Sequence, residues 1–309
     1  MTDDAITVPE LFRSSPELAR RLKVDDLTFE TLVHKYCNDL TERARESRSD
    51  PIVGRDAEVD HILTILLHRG RSNVALLGGA GTGKTALFNA VAQKIVTGDV
   101  PKLLKDARVL ELDFALVGAG TDSRGEFEGR LIPFIRGAGE RNETRQMPQI
   151  IICIDELHTI MRTCPASSAS GVADLLKPYL TVGNLQMIGA TTEVEYDEHI
   201  RRDLAMDRRF QKIVLKQPNV EETITILKGI RRGYEKHFGI TISDAACEQT
   251  VKLASKYIRN RNNPDKSIMA LDGACARFVK DGHDSGELTL DYIKRAVAAE
   301  LNVDVSVIE

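Results

Sequence analysis

Residues 78–85 read Gly78-Gly79-Ala80-Gly81-Thr82-Gly83-Lys84-Thr85, an instance of the pattern GxxxxGK[ST]. The apolar run Val74–Leu77 precedes it directly, and a helical pattern over Lys84–Val96 follows it. Few strings of eight residues restrict a fold as much. Glycines let the backbone curl until successive N–H groups face one anion. A helix that starts at the loop adds its partial positive charge to the same spot. The context that suits such a loop is strand, loop, helix within a parallel sheet. There Gly78, Gly79, Ala80, Gly81, Thr82 and Gly83 would cradle phosphate oxygens, Lys84 would reach the β- and γ-phosphates, and Thr85 would ligate Mg²⁺.

Such a site needs a second half, an acidic group at the end of another buried strand. Ile150-Ile151-Ile152-Cys153-Ile154-Asp155-Glu156 supplies it. The isoleucines explain a strand covered on both faces; nothing in a core calls for two carboxylates directly after it. Asp155 is expected to organise Mg²⁺, and Glu156 to act as general base or to orient the attacking water. Further strands are expected at Arg108–Leu112, Leu185–Ile188 and Lys212–Leu215, alternating with amphipathic helices such as Asp56–Leu67. This rhythm predicts an α/β fold over 50–218, a mainly parallel sheet flanked by helices. Two polar stretches, Glu140–Gln149 and Thr163–Gly171, read as exposed loops. After Pro218 the strands stop. Glu221–Ile230, Asp244–Ile258, Lys266–Lys280 and Leu290–Glu300 read as the helices of a smaller domain over 219–309, with Ser243-Asp244 and Asn263-Pro264 as start signals.

Residues 1–49 read as a helical segment that ends at the turn Ser49-Asp50-Pro51. Leu11, Leu18 and Leu22, and then Leu32, Tyr36 and Leu40, form stripes that suit either a core or the docking of another protein.

Composition narrows the function. Lys and Arg number 42 against 46 Asp and Glu, a net charge of −4 with no basic block, which disfavours a nucleic-acid binder. No stretch approaches the ~18 apolar residues of a membrane span. The acidic start MTDDAITVPELF is not a secretory signal. Five scattered cysteines, Cys37, Cys153, Cys164, Cys247 and Cys275, form no CxxC pair; a reducing cytosol is the expected compartment. Cys153 reads as a small core residue. His158 and Cys164 lack a partner pair at ligand spacing and read as structural rather than metal-binding.

From about Leu32 to the C-terminus the chain resembles the first AAA+ module of the Clp/Hsp100 unfoldases and disaggregases, the group that includes ClpA, ClpB and the type VI secretion ATPase ClpV. The resemblance is carried by KYCNDLTERA (35–44), DPIVGRDAEV (50–59), the phosphate loop, RGEFEGR (124–130), IDELHT (154–159), LLKPYL (175–180), IGATTEVEY (188–196), DRRFQKI (207–213) and NPDKSI (263–268). It implies a P-loop ATPase with a helical lid, ATP and Mg²⁺ as cofactors, and a hexameric ring in which a neighbour completes each site between large domain and lid. By position, Val53 and Gly54 would border the adenine. Thr192 matches the sensor-1 position, facing the γ-phosphate or the attacking water. Arg208 and Arg209 match trans-acting arginine fingers, a role that suits a permanently charged, bidentate guanidinium. Pro264-Asp265-Lys266 matches the lid segment near the nucleotide. Lys266 stands where a sensor-2 residue acts, with a salt bridge inside the lid as the other reading.

The departures bear on biological role. Threading members carry an aromatic residue just before RGEFE; here Ser123 stands there, in a loop one residue longer. A serine cannot supply the apolar grip of a tyrosine. Ala80 replaces a common proline, and Asp272-Gly273 replaces two acidic residues. The family's double-repeat N-terminal domain, coiled-coil middle domain and second module have no counterpart; the segment beginning at Met1 favours a natural short form over an excised piece. Two functions compete: an ATPase ring that remodels or disassembles a protein partner, with an unidentified protein client or adaptor, and an ATP-regulated assembly module of a larger machine such as a secretion system. A DNA-acting loader is a weaker third reading for so acidic a chain.

Overall fold

The computed structural model describes residues 24–46, 51–144, 147–161 and 171–309. Leu11, Leu18, Leu22, the Ser49-Asp50 turn, Cys164 and most of Thr163–Gly171 lie outside the described residues.

The chain forms two compact units. The first comprises the described N-terminal residues, Val59–Leu77 and Phe88–Ile213. It opens with α1 (Asp26–Tyr36), β1 (Cys37–Asp39) and α2 (Leu40–Arg45), followed by α3 (Asp56–Leu66), β2 (Asn73–Leu77), α4 (Lys84–Thr97) and β3 (Arg108–Leu112). Then come α5 (Phe114–Gly118), α6 (Arg124–Thr144), β4 (Ile150–Ile154), α7 (Val172–Val182), β5 (Gln186–Thr191), the single turns α8 (Glu193–Glu195) and α9 (Leu204–Asp207), and β6 (Phe210–Val214).

The six strands form one sheet in the order β1-β3-β4-β5-β2-β6. Three neighbouring pairs are parallel, with Leu110 opposite Ile152, Cys153 opposite Ile188, and Ala75 opposite Gly189. All residues of β2 and β4 are buried, as expected for strands covered on both faces. Cys153 is fully buried. β5 extends past the expected Ile188 to Thr191 because its second half, Gly189-Ala190-Thr191, is small rather than apolar. A Cβ on Gly189 would stand 2.5 Å from Leu157 Cδ2, so the close packing of Leu157 explains the glycine.

Two expectations fail here. Leu32, Tyr36 and Leu40 are buried as core, but they do not share one helix: α1 stops at Tyr36, and β1 pairs antiparallel with β3 through Cys37 opposite Leu112. Arg108 holds the junction, with Glu30 at 2.6 Å and Asp39 at 2.8 Å. Burying each large apolar side chain contributes about 1.5–3 kcal/mol, whereas helix propensity differs by at most ~0.7 kcal/mol per residue. Burial therefore decides the local structure. Glu140–Gln149 is not a loop throughout, since α6 continues to Thr144. Its polar residues are used internally. Asn142 accepts from Ile150 N at 2.6 Å and donates to Ile150 O at 2.9 Å, taking the place of a strand partner at the start of β4. Arg141 pairs with Asp26 and lies 3.9 Å over the Phe29 ring, which stacks on Phe134.

The second unit comprises 51–58, Gly78–Leu87 and Val214–Glu309. Its body is four helices: α10 (Val220–Phe238), α11 (Asp244–Tyr257), α12 (Asp265–Lys280) and α13 (Leu290–Leu301). α10 outruns the expected Ile230 by two turns and ends at Gly239, whose φ of 73° supplies a left-handed cap. Ser243 caps α11 as expected, accepting from Ala246 N at 3.2 Å. Leu227, Cys247, Val251, Leu271, Cys275, Ile293 and Val297 fill the core. Cys37, Cys153, Cys247 and Cys275 are free thiols.

Candidate active site

The phosphate loop follows β2 without a break and opens α4 at Lys84. Gly81 and Gly83 have φ of 74° and 92°, where a Cβ would be strained. Every carbonyl from residue 78 to 82 accepts a hydrogen bond. Lys84 Nζ donates to Gly78 O at 2.9 Å and Gly79 O at 3.0 Å, and Thr82 Oγ1 also donates to Gly79 O at 2.9 Å. Asn262 Nδ2 donates to Ala80 O at 2.9 Å, Asp265 N to Gly81 O at 3.4 Å, and Arg55 Nη2 to Thr82 O at 2.9 Å. A loop whose carbonyls are all engaged presents its N–H side to an anion. Thr85 is exposed at the start of α4. The small residues are also steric requirements. A Cβ on Gly79 would stand 2.7 Å from Asn262 Nδ2, and one on Gly81 would stand 2.6 Å from Asp265 Cβ. Asn262 and Asp265 are thus brought against the loop.

Val53 packs on α10: a Cβ on Gly229 would stand 2.5 Å from Val53 Cγ2. Gly54 has φ of 77°, and a Cβ there would lie 3.5 Å from Ile226 Cγ1. Arg55, overlooked in the sequence reading, also donates to Lys216 O at 3.1 Å and pairs with Glu58 at 2.7 Å. Lys266 is buried, and its ammonium donates to Ile258 O at 2.8 Å. Its partner is a carbonyl just past the end of α11, not the carboxylate of a lid salt bridge. Cation and helix C-terminus attract each other there, while burial lowers the lysine pKa.

Asp155 and Glu156 emerge, exposed, from the buried end of β4. Glu156 has φ of 53°, a left-handed conformation that costs a non-glycine residue roughly 1–2 kcal/mol. Two bonds hold it: Glu156 N donates to Asp155 Oδ1 at 3.0 Å, and Glu156 O accepts from Thr159 N at 2.8 Å. Backbone strain of this kind clusters at functional sites.

Thr192 is the N-cap of α8. Its hydroxyl accepts from Glu195 N at 3.2 Å and donates to Glu195 Oε2 at 2.7 Å. Oε2 also accepts from Thr192 N and from Thr191 Oγ1, each at 3.0 Å. Burial favours the neutral carboxyl, but the hydrogen bonds from Thr192, then Thr191, and the positive potential of His158 outweigh it and bring Glu195 down to about 2. His158 Nδ1 lies 3.0 Å from Thr191 Oγ1, 3.4 Å from Glu156 Oε2 and 3.5 Å from Glu195 Oε2. Neither His158 nor Glu195 was singled out as functional from sequence, although both lie inside the quoted strings IDELHT and IGATTEVEY.

Arg208 and Arg209 follow α9. Their carbonyls accept from Arg71 Nε at 2.9 Å and Asn73 Nδ2 at 3.4 Å. Arg209 Nη2 reaches Thr181 Oγ1 at 3.2 Å, while the Arg208 side chain is exposed.

Ser123 begins α6. Its hydroxyl accepts from Glu126 N at 3.3 Å, while Glu126 Oε2 accepts from Asp122 N at 2.9 Å. Arg130 pins the preceding loop, donating to Val117 O at 3.0 Å and Ala119 O at 2.6 Å.

Two family models match in succession: the ATPase family associated with various cellular activities over residues 74–217, and the AAA lid domain over 219–303. A ClpB chaperone of Propionibacterium freudenreichii subsp. shermanii is 41% identical over 269 residues, covering 87% of this chain and 30% of the relative. A probable ATP-dependent Clp protease ATP-binding subunit of Chlamydia pneumoniae is 44% identical over 242 residues, covering 78% and 28%. The chain belongs to the Clp/Hsp100-type AAA+ ATPases. Among solved structures, the AAA+ module is similar to Saccharomyces cerevisiae Hsp104 in an ADP complex, with a TM-score of 0.79, 35% identity, and coverage of 90% of this chain and 46% of Hsp104. A closed-state Hsp104 with ATPγS and FITC casein gives a TM-score of 0.78 at 36% identity, covering 88% and 45%. The module spans about 30% of the length of the curated relatives it matches. Among the described residues no helix is long and apolar enough to cross a membrane.

Proposed function

We propose that this module is the ATP-hydrolysing core of a Mg²⁺-dependent homo-oligomeric ring, a hexamer, that remodels or disassembles a protein partner in the cytosol. The phosphate loop is the observation that supports the reading most: the carbonyls of residues 78–82 are all engaged and its peptides open a 14-residue helix. The hard oxygen donors of Thr85 and Asp155 suit Mg²⁺, which when bound neutralises phosphate charge. Residues 78–83 bind the phosphates through backbone N–H groups, and Lys84 swings from its loop carbonyls to the β- and γ-phosphates. Val53 and Gly54 border the adenine. Glu156 orients the attacking water and accepts its proton at a carboxylate oxygen. Thr192 and its α8 cap set the floor beside that water. Arg208 and Arg209 act on a neighbour's nucleotide, Arg208 being the freer of the two. Lys266 serves by holding the segment Asn262–Lys266 in place. The relatives' chaperone names and the Hsp104 complex with casein support a protein client.

The deciding measurement is ATPase activity per protomer against protein concentration with Mg²⁺ present. A steep rise, lost in Arg208→Ala while nucleotide affinity is kept, is expected for a site completed by a neighbour. Flat, near-zero activity despite nucleotide binding would favour the second reading, an ATP-regulated assembly module of a larger machine. The polar loop ending at Ser123 favours that reading, because its hydroxyl caps a helix and offers a client no apolar grip.

A further inference from the structure

We propose that His158 is a positioning residue for Glu156, held in one hydrogen-bonding state by Thr191 and Glu195. The inference rests on the reading of Glu156 as the residue that orients or deprotonates water. It follows from a count of protons in a small, mostly enclosed network. Glu195 is ionised at neutral pH and can only accept. Thr191, fully buried, has one hydroxyl proton and gives it to Glu195 Oε2 at 3.0 Å. Toward His158 Nδ1, also 3.0 Å away, the Thr191 oxygen is left to accept. Nδ1 therefore carries a hydrogen.

That hydrogen lies on the edge of the ring that faces Glu156 Oε2 at 3.4 Å. A lone pair there would repel the carboxylate; an N–H attracts it. The same hydrogen makes Nδ1 a poor metal ligand. So Glu156, His158 and Glu195, although within 4.8 Å of one another, form a relay that is hydrogen-bonded through Thr191 and meets Glu156 by charge attraction, rather than an ion site. The attraction has something to restrain. The Glu156 side chain is 59% exposed, while that of His158 is only 15% exposed and its ring lies against His199. With the Glu156 backbone fixed in its left-handed turn, side-chain rotation is the freedom left to the carboxylate. His158 is the group that limits it. The network runs from the Thr192 cap through Glu195, Thr191 and His158 to Glu156, so it joins the sensor position to the catalytic carboxylate within one unit.

The test is steady-state ATPase kinetics with nucleotide titrations and thermal melts on the full chain. His158→Phe keeps ring size without the N–H and should lower kcat roughly tenfold, the scale of a misplaced catalytic group, with KM and nucleotide affinity within about twofold. His158→Asn can offer its amide N–H at the Nδ1 position and should restore most of kcat. Thr191→Val should lower kcat several-fold in the histidine chain and leave His158→Asn unaffected, because an amide needs no tautomer fixed. A full kcat in His158→Phe overturns the proposal, as does an asparagine variant as slow as phenylalanine, or a Thr191→Val loss that persists beside asparagine. A Glu156→Gln variant that turns over normally would show instead that the reading of Glu156 is wrong.

Discussion

The phosphate loop and the Glu156 turn both leave the ends of buried strands, yet they are held in opposite ways. The loop is fixed through its backbone. Five successive carbonyls are engaged, and its side chains are nearly absent. At the Glu156 turn two bonds hold the backbone, and the surroundings of the carboxylate are set by side chains. A carboxylate, two threonine hydroxyls and an imidazole share one short relay. The first construction tolerates a changed side chain where the backbone is unaltered, which explains Ala80 in place of proline. The second depends on which atoms the side chains end in.

The largest expected effect breaks the side-chain region. Glu156→Gln keeps the shape but removes the base, so turnover should fall roughly 10²–10³-fold while nucleotide binding persists; phosphate release and a fluorescent-nucleotide titration separate the two. Lys84→Ala attacks the loop's one charged side chain and should weaken nucleotide binding by roughly a hundredfold, read by the same titration. Gly81→Val tests the backbone claim. A branched residue at φ 74°, with Asp265 Cβ 2.6 Å from the new Cβ, should destabilise the fold by more than about 1 kcal/mol in a denaturant melt and weaken nucleotide binding. The smallest effect sharpens the relay. Glu195 is held at about 2 against an ordinary 4.5. Its ionised form therefore adds stability above pH ~4.5 that is lost as pH falls toward 2. Glu195→Gln should flatten that part of an acid-unfolding curve, modestly, because the carboxylate is 34% exposed.

Much of the fold was legible because burial on both faces writes strands as apolar runs; β3 matches its expected bounds residue for residue, and β4 is the isoleucine-rich run that ends at the acidic pair. β1 was not, since three residues, Cys-Asn-Asp, carry no strand period and sit inside a stripe that mimics a helix. The end of α6 was missed for a related reason. Its polar residues look solvent-seeking, but Asn142 and Arg141 find their partners inside the protein. The loop and the acidic pair stood out because their chemistry is local in sequence. Arg55, Asn262, His158 and Glu195 did not, because each acts across a fold contact that no spacing rule encodes.

The start of α6 carries a further consequence. Ser-x-x-Glu at 123–126 spells a helix cap: the Ser123 hydroxyl serves the helix start, and the Glu126 carboxylate reaches back to the loop tip at Asp122 N. The tip is therefore written in a restricted alphabet. Serine, threonine, aspartate and asparagine keep the helix start, glycine nearly so, while alanine or a large apolar residue gives up about 1 kcal/mol of it. Whatever this loop touches, its contacts can diversify at the exposed Asp122 side chain, less at Thr121, whose hydroxyl donates to Gly118 O at 2.8 Å, and least at the position where relatives of the threading kind place their aromatic ring.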